Sequence, residues 1–209
     1  MSLQKLYQSI RFYFLLYGFT GGIKFALGLC RSSIEKIYYL NLDDGKFNES
    51  IVNPALRFRW ITNEQQYNDI YKDYSTIKGR ILADEDRNKV ISGRELLGIV
   101  YKADSLAGWG WIKRGPATYC DCKLNKLDCL IHGCRTLRGF RRQGVYTTFL
   151  IKVLIELKNA GFSSVYIGAK KFNIASIKAI EKAGFCFKKD FNSGNIFLRI
   201  GKYFKRDSL

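Results

Sequence analysis

The sequence predicts a mixed α/β (α+β) domain around one mainly antiparallel sheet, and three observations carry that prediction. Runs with strand-like character are interleaved with runs of helical periodicity. Leu127–Thr136 feeds a helix through an arginine- and glycine-rich turn, and a strand follows at Ser164–Ile167, a step that makes this one strand pair parallel. At 209 residues, 47% hydrophobic and 15% aromatic, the chain is long and apolar enough for one globular domain with a full core.

Residues 1–35 stand apart as an N-terminal segment, with the domain over 36–209. Aromatic and aliphatic residues crowd Leu6–Phe19, with Lys5, Arg11, Lys24 and Arg31 spaced through and beyond them. Only twelve residues separate Arg11 from Lys24, three of them glycine. That falls short of the roughly 20 apolar residues of a spanning helix. The segment also lacks the small-residue cleavage site of a signal peptide. Two readings stand: a helix lying in a membrane interface through residues 1–31, or a helical lid packed on the domain. A homodimer contact is a third.

Ile37–Leu42 reads as the first strand, and Leu56–Ile61 alternates apolar and basic residues as a further strand. Thr62 or Asn63 caps a helix that turns Ile70, Tyr74 and Ile77 to the core, and a short helix spans Asp84–Ile91. Glu95–Tyr101 and Leu106–Ile112 form a hairpin around Lys102-Ala103-Asp104-Ser105, with Trp109 and Trp111 on one face as core residues. Thr118–Lys123 is a strand edge or loop. After the turn at Arg138–Tyr146 a helix runs to about Ala160, and the last helix begins at Asn173. Cys186–Phe191 and Ile196–Tyr203 form a closing hairpin across Asn192-Ser193-Gly194-Asn195, before a basic tail.

Lys plus Arg number 35 against 18 Asp plus Glu, a net charge of +17, so partners are expected to be acidic. Basic residues gather at Arg135–Arg142 and Lys188–Arg206, but no recognised nucleic-acid motif accompanies them, which argues against a nucleic-acid partner. The six cysteines sit in a chain without a cleavable signal, as expected of reduced thiols in a cytoplasmic protein, peripheral to the inner membrane face if the N-terminus touches lipid. Cys120-Asp121-Cys122 with Cys129, His132 and Cys134 lacks the knuckle spacing of a zinc site, so no metal is expected.

The turn Arg138-Gly139-Phe140-Arg141-Arg142-Gln143-Gly144-Val145-Tyr146 is built to hold an anion. The first N–H groups of the helix behind it are unpaired and its dipole end is positive. Glycine at 144 lets the backbone approach a pyrophosphate, and Arg138, Arg141 and Arg142 are cations that pair with phosphate. A phosphorylated cofactor is therefore expected there.

On these residues a family resemblance rests. Arg141-x-x-Gly144-x-Tyr146 resembles the (Gln/Arg)-x-x-Gly-x-(Gly/Ala) turn of the GNAT superfamily, the acetyl-CoA-dependent N-acetyltransferases. Asn173-x-x-Ser176 with Glu181-Lys182-x-Gly184-Phe185 resembles that family's second landmark. The close match covers Leu127–Phe185, and element order extends it from about Ile37 to about Tyr203. Cys134-Arg135-Thr136 with Gly144-Val145-Tyr146 is similar to GNAT-like proteins of bacterial polysaccharide gene clusters.

The resemblance implies helices on both faces of the sheet and acetyl-CoA as co-substrate. Arg141, Arg142, Gln143, Gly144, Val145, Tyr146 and Thr147 would cradle its pyrophosphate. Cys134, Arg135 and Thr136 would offer main-chain groups to the pantetheine arm where two central strands splay apart. Asn173, with Ser176, would bond that arm, although a helix N-cap alone explains Asn173. Many relatives carry a tyrosine as general acid where this chain has Ile180. Tyr146, standing where the family has Gly or Ala, and Tyr166 are the replacement candidates.

For the general base, His132, the chain's single histidine, lies nine residues before Arg141, an offset similar to that of a catalytic histidine in serotonin-type N-acetyltransferases. On a regular strand it shares a face with Asp128, Leu130 and Cys134, and Asp128 is the reserve. The expected activity is acetyl transfer to a primary amine of a small acceptor, an amino sugar on a nucleotide being preferred. The competing reading is a catalytically inactive module of the same fold that binds nucleic acid or anionic membrane.

Overall fold

A computed structural model describes Gln4, Tyr7, Gln8, Arg11, Phe12, Phe14, Leu15 and Gly18, and then residues 34–44 and 47–192. Strands β1 (Ile34–Asn41), β2 (Leu56–Ile61), β3 (Glu95–Lys102), β4 (Ser105–Arg114), β7 (Asp128–Thr136), β8 (Ser164–Lys170) and β9 (Cys186–Asn192) form one seven-stranded sheet in the order β2-β3-β4-β7-β8-β1-β9. Every neighbouring pair is antiparallel except β7–β8, the strand–helix–strand step that the sequence requires to be parallel. The mixed, mainly antiparallel sheet is thus as the sequence predicts. The expected strand Ile196–Tyr203 and the tail lie outside the described residues.

Helices α1 (Glu64–Lys78) and α2 (Arg80–Ile91) cover one face of the sheet. Asn63 caps α1, its Oδ1 accepting the Gln66 N–H at 2.9 Å. Tyr67, Ile70 and Tyr74 pack with Ile61, Leu97, Ile99, Trp109 and Trp111. Both tryptophans are core residues, as their spacing implies. Helix α2 starts four residues earlier than expected. Gly79, at φ +91°, makes the break between the helices, and the Ile81 N–H is met by Gln8 Oε1 at 3.1 Å. A cap from 73 residues away leaves no local signal. Phe12, from the same N-terminal segment, is buried beside Trp109, with ring centroids 6.1 Å apart. Thr118–Lys123, expected as a strand edge or loop, proves to be a two-stranded hairpin of its own, β5 (Ala117–Tyr119) with β6 (Cys122–Leu124), turning through Cys120 and Asp121 at positive φ.

Helices α3 (Val145–Asn159) and α4 (Ile174–Lys182) cover the other face. Helix α3 buries eight of its side chains, and Phe149 anchors it. On β3 and β4 the cross-strand pair Gly98–Gly110 lies beneath the Phe149 ring. A Cβ on Gly98 would come within 2.9 Å of that ring, and one on Gly110 would overlap the ring and sit 2.8 Å from Cys134 Sγ. Two missing side chains therefore let the helix approach the sheet closely, and full burial of a phenylalanine there contributes about 1.5–3 kcal/mol.

Gly110→Ala is expected to lower unfolding stability by about 1–3 kcal/mol, the range for an overpacked core. Gly139→Ala, where an added Cβ meets nothing within 4 Å, is expected to change it by less than about 0.5 kcal/mol. Urea unfolding of both variants decides the matter; equal midpoints would remove the glycine floor from the account.

Candidate active site

Strands β7 and β8 pair only from Asp128–Ser164 to Ile131–Ile167, although β7 runs on to Thr136 and β8 to Lys170. They part beyond Ile131, and the β8-facing edge of residues 132–136 is left open. The strand splay implied for Cys134, Arg135 and Thr136 is present at those residues.

β7 is also bulged. Trp111 faces His132 and Trp109 faces Arg135, so three steps on β7 match two on β4. Gly133 takes up the extra residue at φ +61°. This corrects the expectation that His132 and Cys134 share a face. Cys134 turns toward α3, where burial pushes its thiol up to about 12. His132 turns to the α1/α2 face beside Trp111. Asp128, the reserve base, is 6% exposed and its Oδ2 accepts the Asn125 N–H at 2.7 Å, so it holds the turn before β7.

Beyond Thr136 the chain is fastened by Leu137 N–H to the Ala107 carbonyl at 2.9 Å and makes a 3-10 turn at Arg138–Phe140. Arg142 follows at φ +62° and Gly144 at φ +77°. Left-handed geometry at a non-glycine residue costs on the order of 1–3 kcal/mol, and left-handed residues in a turn are the backbone form from which anion-binding concavities are made. A Cβ on Gly144 would meet only Asn53 at 3.7 Å, so it is backbone conformation that calls for glycine. Gln143 shapes the turn: its Nε2 donates to the Gly139 carbonyl at 2.9 Å and its Oε1 accepts from Lys102 Nζ at 2.7 Å. Asn53 ties the turn to the helix, donating from Nδ2 to the Gln143 carbonyl at 3.0 Å and from its backbone N–H to Thr148 Oγ1 at 3.1 Å. The first intrahelical bond of α3 runs from Thr148 N–H to the Gly144 carbonyl, and no side chain caps the helix. The N–H groups of Val145, Tyr146 and Thr147 therefore lie at its positive end without intrahelical partners. The arrangement fits a pyrophosphate.

The two landmarks meet at Tyr146. Its hydroxyl interacts with Ser176 on α4 and with the Cys134 thiol on β7. Burial, then the neighbouring thiol, raises this phenol well above its ordinary value. Asn173 caps α4, accepting the Ser176 N–H at 3.3 Å. Ile180 is fully buried in the core, so that helix position offers no acid. Tyr166 lies on the other face, against Tyr39 and the Lys188 ammonium, and is not brought to this group.

On the α1/α2 face, His132 Nε2 lies 3.4 Å from Glu95 Oε2, a residue the sequence did not single out. Burial raises the Glu95 carboxyl, but His132, Lys89 and Lys113 outweigh it and hold it below the usual range. Lys89 stands 5.0 Å over Trp111 and 3.1 Å from Asp86, which also takes Lys78 and, at 2.8 Å, the Tyr74 hydroxyl. Burial lowers the Lys78 ammonium, and Lys89 and Arg135 add to that against the opposing pull of Asp86. A depression of about 370 Å³ lined by Lys72, Asp73 and Asp104 contains none of these residues. Among the described residues no group of three or more His, Cys, Asp or Glu side chains is placed to hold a metal ion, and no helix is long and apolar enough to cross a membrane.

Comparison with solved structures finds the same fold at low identity. A GCN5-related N-acetyltransferase from Sphaerobacter thermophilus is 11% identical, with a TM-score of 0.54 over 85% of this chain and 56% of that one. The glucosamine N-acetyltransferase region of a fungal multi-domain GH3 β-N-acetylglucosaminidase is 10% identical, with a TM-score of 0.58 over 83% of this chain and 22% of that one. The aminoglycoside acetyltransferase AAC(6')-Iy, solved with a bisubstrate analogue of CoA, is 14% identical, with a TM-score of 0.51 over 64% of this chain and 91% of that one. No curated protein matches the chain. The model of the acetyltransferase (GNAT) family matches residues 57–185, from β2 to the end of the second landmark. That is more than half of the sequence, and the chain belongs to the acetyltransferase (GNAT) family, whose enzymes use acetyl-CoA.

Proposed function

We propose that this acetyltransferase moves the acetyl group of acetyl-CoA to a primary amine on a small acceptor that also carries negative charge, a nucleotide-linked amino sugar being the preferred case. The single observation that carries the reading is the splay at Ile131. An anion-holding turn opens on its α3 face and a histidine stands at its apex on the α1/α2 face.

The chain's residues divide the work between those faces. Arg141, Arg142 and the free N–H groups at the start of α3 hold the pyrophosphate. The open main-chain edge of Cys134, Arg135 and Thr136 holds the arm that follows, and Asn173 with Ser176 flanks it. Bound there, the co-substrate supplies an activated acyl carbon. His132 takes a proton from the acceptor's ammonium, directly or through water, and the freed amine attacks in a ternary complex. Main-chain N–H groups on the open edge stabilise the oxyanion. Tyr146 donates a hydrogen bond to the departing sulfur, filling the role that Ile180 leaves vacant.

Charge on the acceptor side favours an anionic acceptor over a polycation. Lys78, Lys89 and Arg135 gather near Trp111 and Trp109, and the two carboxylates among them are engaged: Asp86 by Lys78, Lys89 and Tyr74, Glu95 by His132 and Lys89. A polyamine or aminoglycoside needs free carboxylates, whereas this ring favours phosphate.

Calorimetry is expected to show acetyl-CoA binding to the wild type and its loss in the Arg141→Ala/Gly144→Glu double variant. No binding by a folded wild type would remove the turn from the reading. With a phosphate-bearing amino sugar as acceptor, His132→Ala is expected to lower kcat by about 10²-fold with the acetyl-CoA affinity retained. Because Tyr146 is raised well above an ordinary phenol, kcat/KM is expected to show no alkaline loss up to about pH 10 from that residue. An enzyme that prefers spermidine to anionic amines would overturn the acceptor assignment.

A further inference from the structure

His132 and Glu95 face one another at the start of the splay, on strands separated by β4. Glu95 Oε2 and His132 Nε2 are both shut off from solvent, neither has a hydrogen-bond partner of good geometry, and each is the polar atom that the other faces, 3.4 Å away. The histidine side chain as a whole remains 32% exposed. With Nε2 buried against Glu95, Nδ1 is the ring nitrogen left to meet an acceptor. A carboxylate accepts and does not donate, so the proton between this pair belongs on the imidazole nitrogen.

The surroundings keep that carboxylate ionised. Lys89 on α2 lies 3.9 Å from Glu95 Oε2, and Lys113 on β4 stands opposite Glu95 in the register. Asp86 on α2, the other carboxylate beside Lys89, is 3% exposed and engaged by Lys78 and Lys89. Arg135 on β7 contributes further positive charge near Lys78. Lys89 thus sits between the two acids and holds Glu95 in place.

We propose that Glu95 is the positioning residue for His132: its carboxylate accepts the Nε2–H, fixes that tautomer, and leaves Nδ1 as the atom that takes the acceptor's proton. When the ammonium gives its proton to Nδ1, the ring becomes an imidazolium with both nitrogens protonated, and the adjacent carboxylate stabilises that charge. The amine keeps the electron pair with which it attacks. This inference rests on the reading of His132 as the base.

The chain has one histidine, so ¹⁵N-histidine NMR reports this ring alone. In the wild type above its titration, Nε2–H with an unprotonated Nδ1 is expected; an Nδ1–H ring would overturn the proposal without recourse to any variant. In Glu95→Gln the Nε2 signal is expected to move and the ring to titrate at lower pH. kcat/KM should fall roughly 10- to 100-fold, the cost of losing a hydrogen bond to a charged group. Its acid limb should shift in step, with acetyl-CoA affinity unchanged, and Glu95→Asp should restore part of the rate. An unchanged spectrum and titration in Glu95→Gln would overturn the pairing. A changed spectrum with an unmoved acid limb would instead overturn the assignment of His132 as base.

Discussion

The contact of Phe149 with the Gly98–Gly110 floor is the constraint on which the arrangement depends. It fixes how near α3 lies to the sheet. Through that distance it fixes where the uncapped start of the helix stands relative to the edge that β7 exposes on parting from β8. A bulkier residue at either glycine would lift the helix, and with it the Arg141–Gly144 turn, from the open edge. Asn53 and Lys102 then hold the turn at the height the helix has set. The Arg141–Gly144 turn is thus positioned by apolar packing and finished by hydrogen bonds.

The bulge at Gly133 performs the complementary task. A regular strand would direct His132 and Cys134 to one side. One additional residue divides them, so that a titratable ring reaches the α1/α2 face while an inert, protonated thiol packs against α3 and Tyr146. The polar chemistry of the two faces meets only where the strands have separated.

Much of this was legible in the sequence where the determinants are local. The Asn63 cap, the alternation of Leu56–Ile61, the two tryptophans and the turn leading into α3 all follow from residues within a few positions of one another. The bulge had a signal, an isolated glycine inside a strand run, and it was missed because alternation was followed straight through it. Glu95 had none. It reaches His132 across an intervening strand, and pairing register is written in no single segment. The early start of α2 is of the same kind, since Gln8 supplies its first partner from outside the domain's own elements. Asp128 misled because a carboxylate on the right strand looks the same in sequence whether it faces a substrate or closes a turn.

The place of β1 sets an order on assembly. It lies early in the chain yet sits between β8 and β9, with Ile34 paired to Asn192 and Asn41 to Ser164. During synthesis both of its edges wait unpaired until well over a hundred further residues have left the ribosome. Contacts of that sequence separation close slowly, and a lone apolar strand is exposed to rival partners meanwhile. Lys36 and Glu35, charged and on a strand otherwise rich in tyrosine and isoleucine, guard it through the delay. A nascent chain halted before β8 would therefore carry β1 with both edges open.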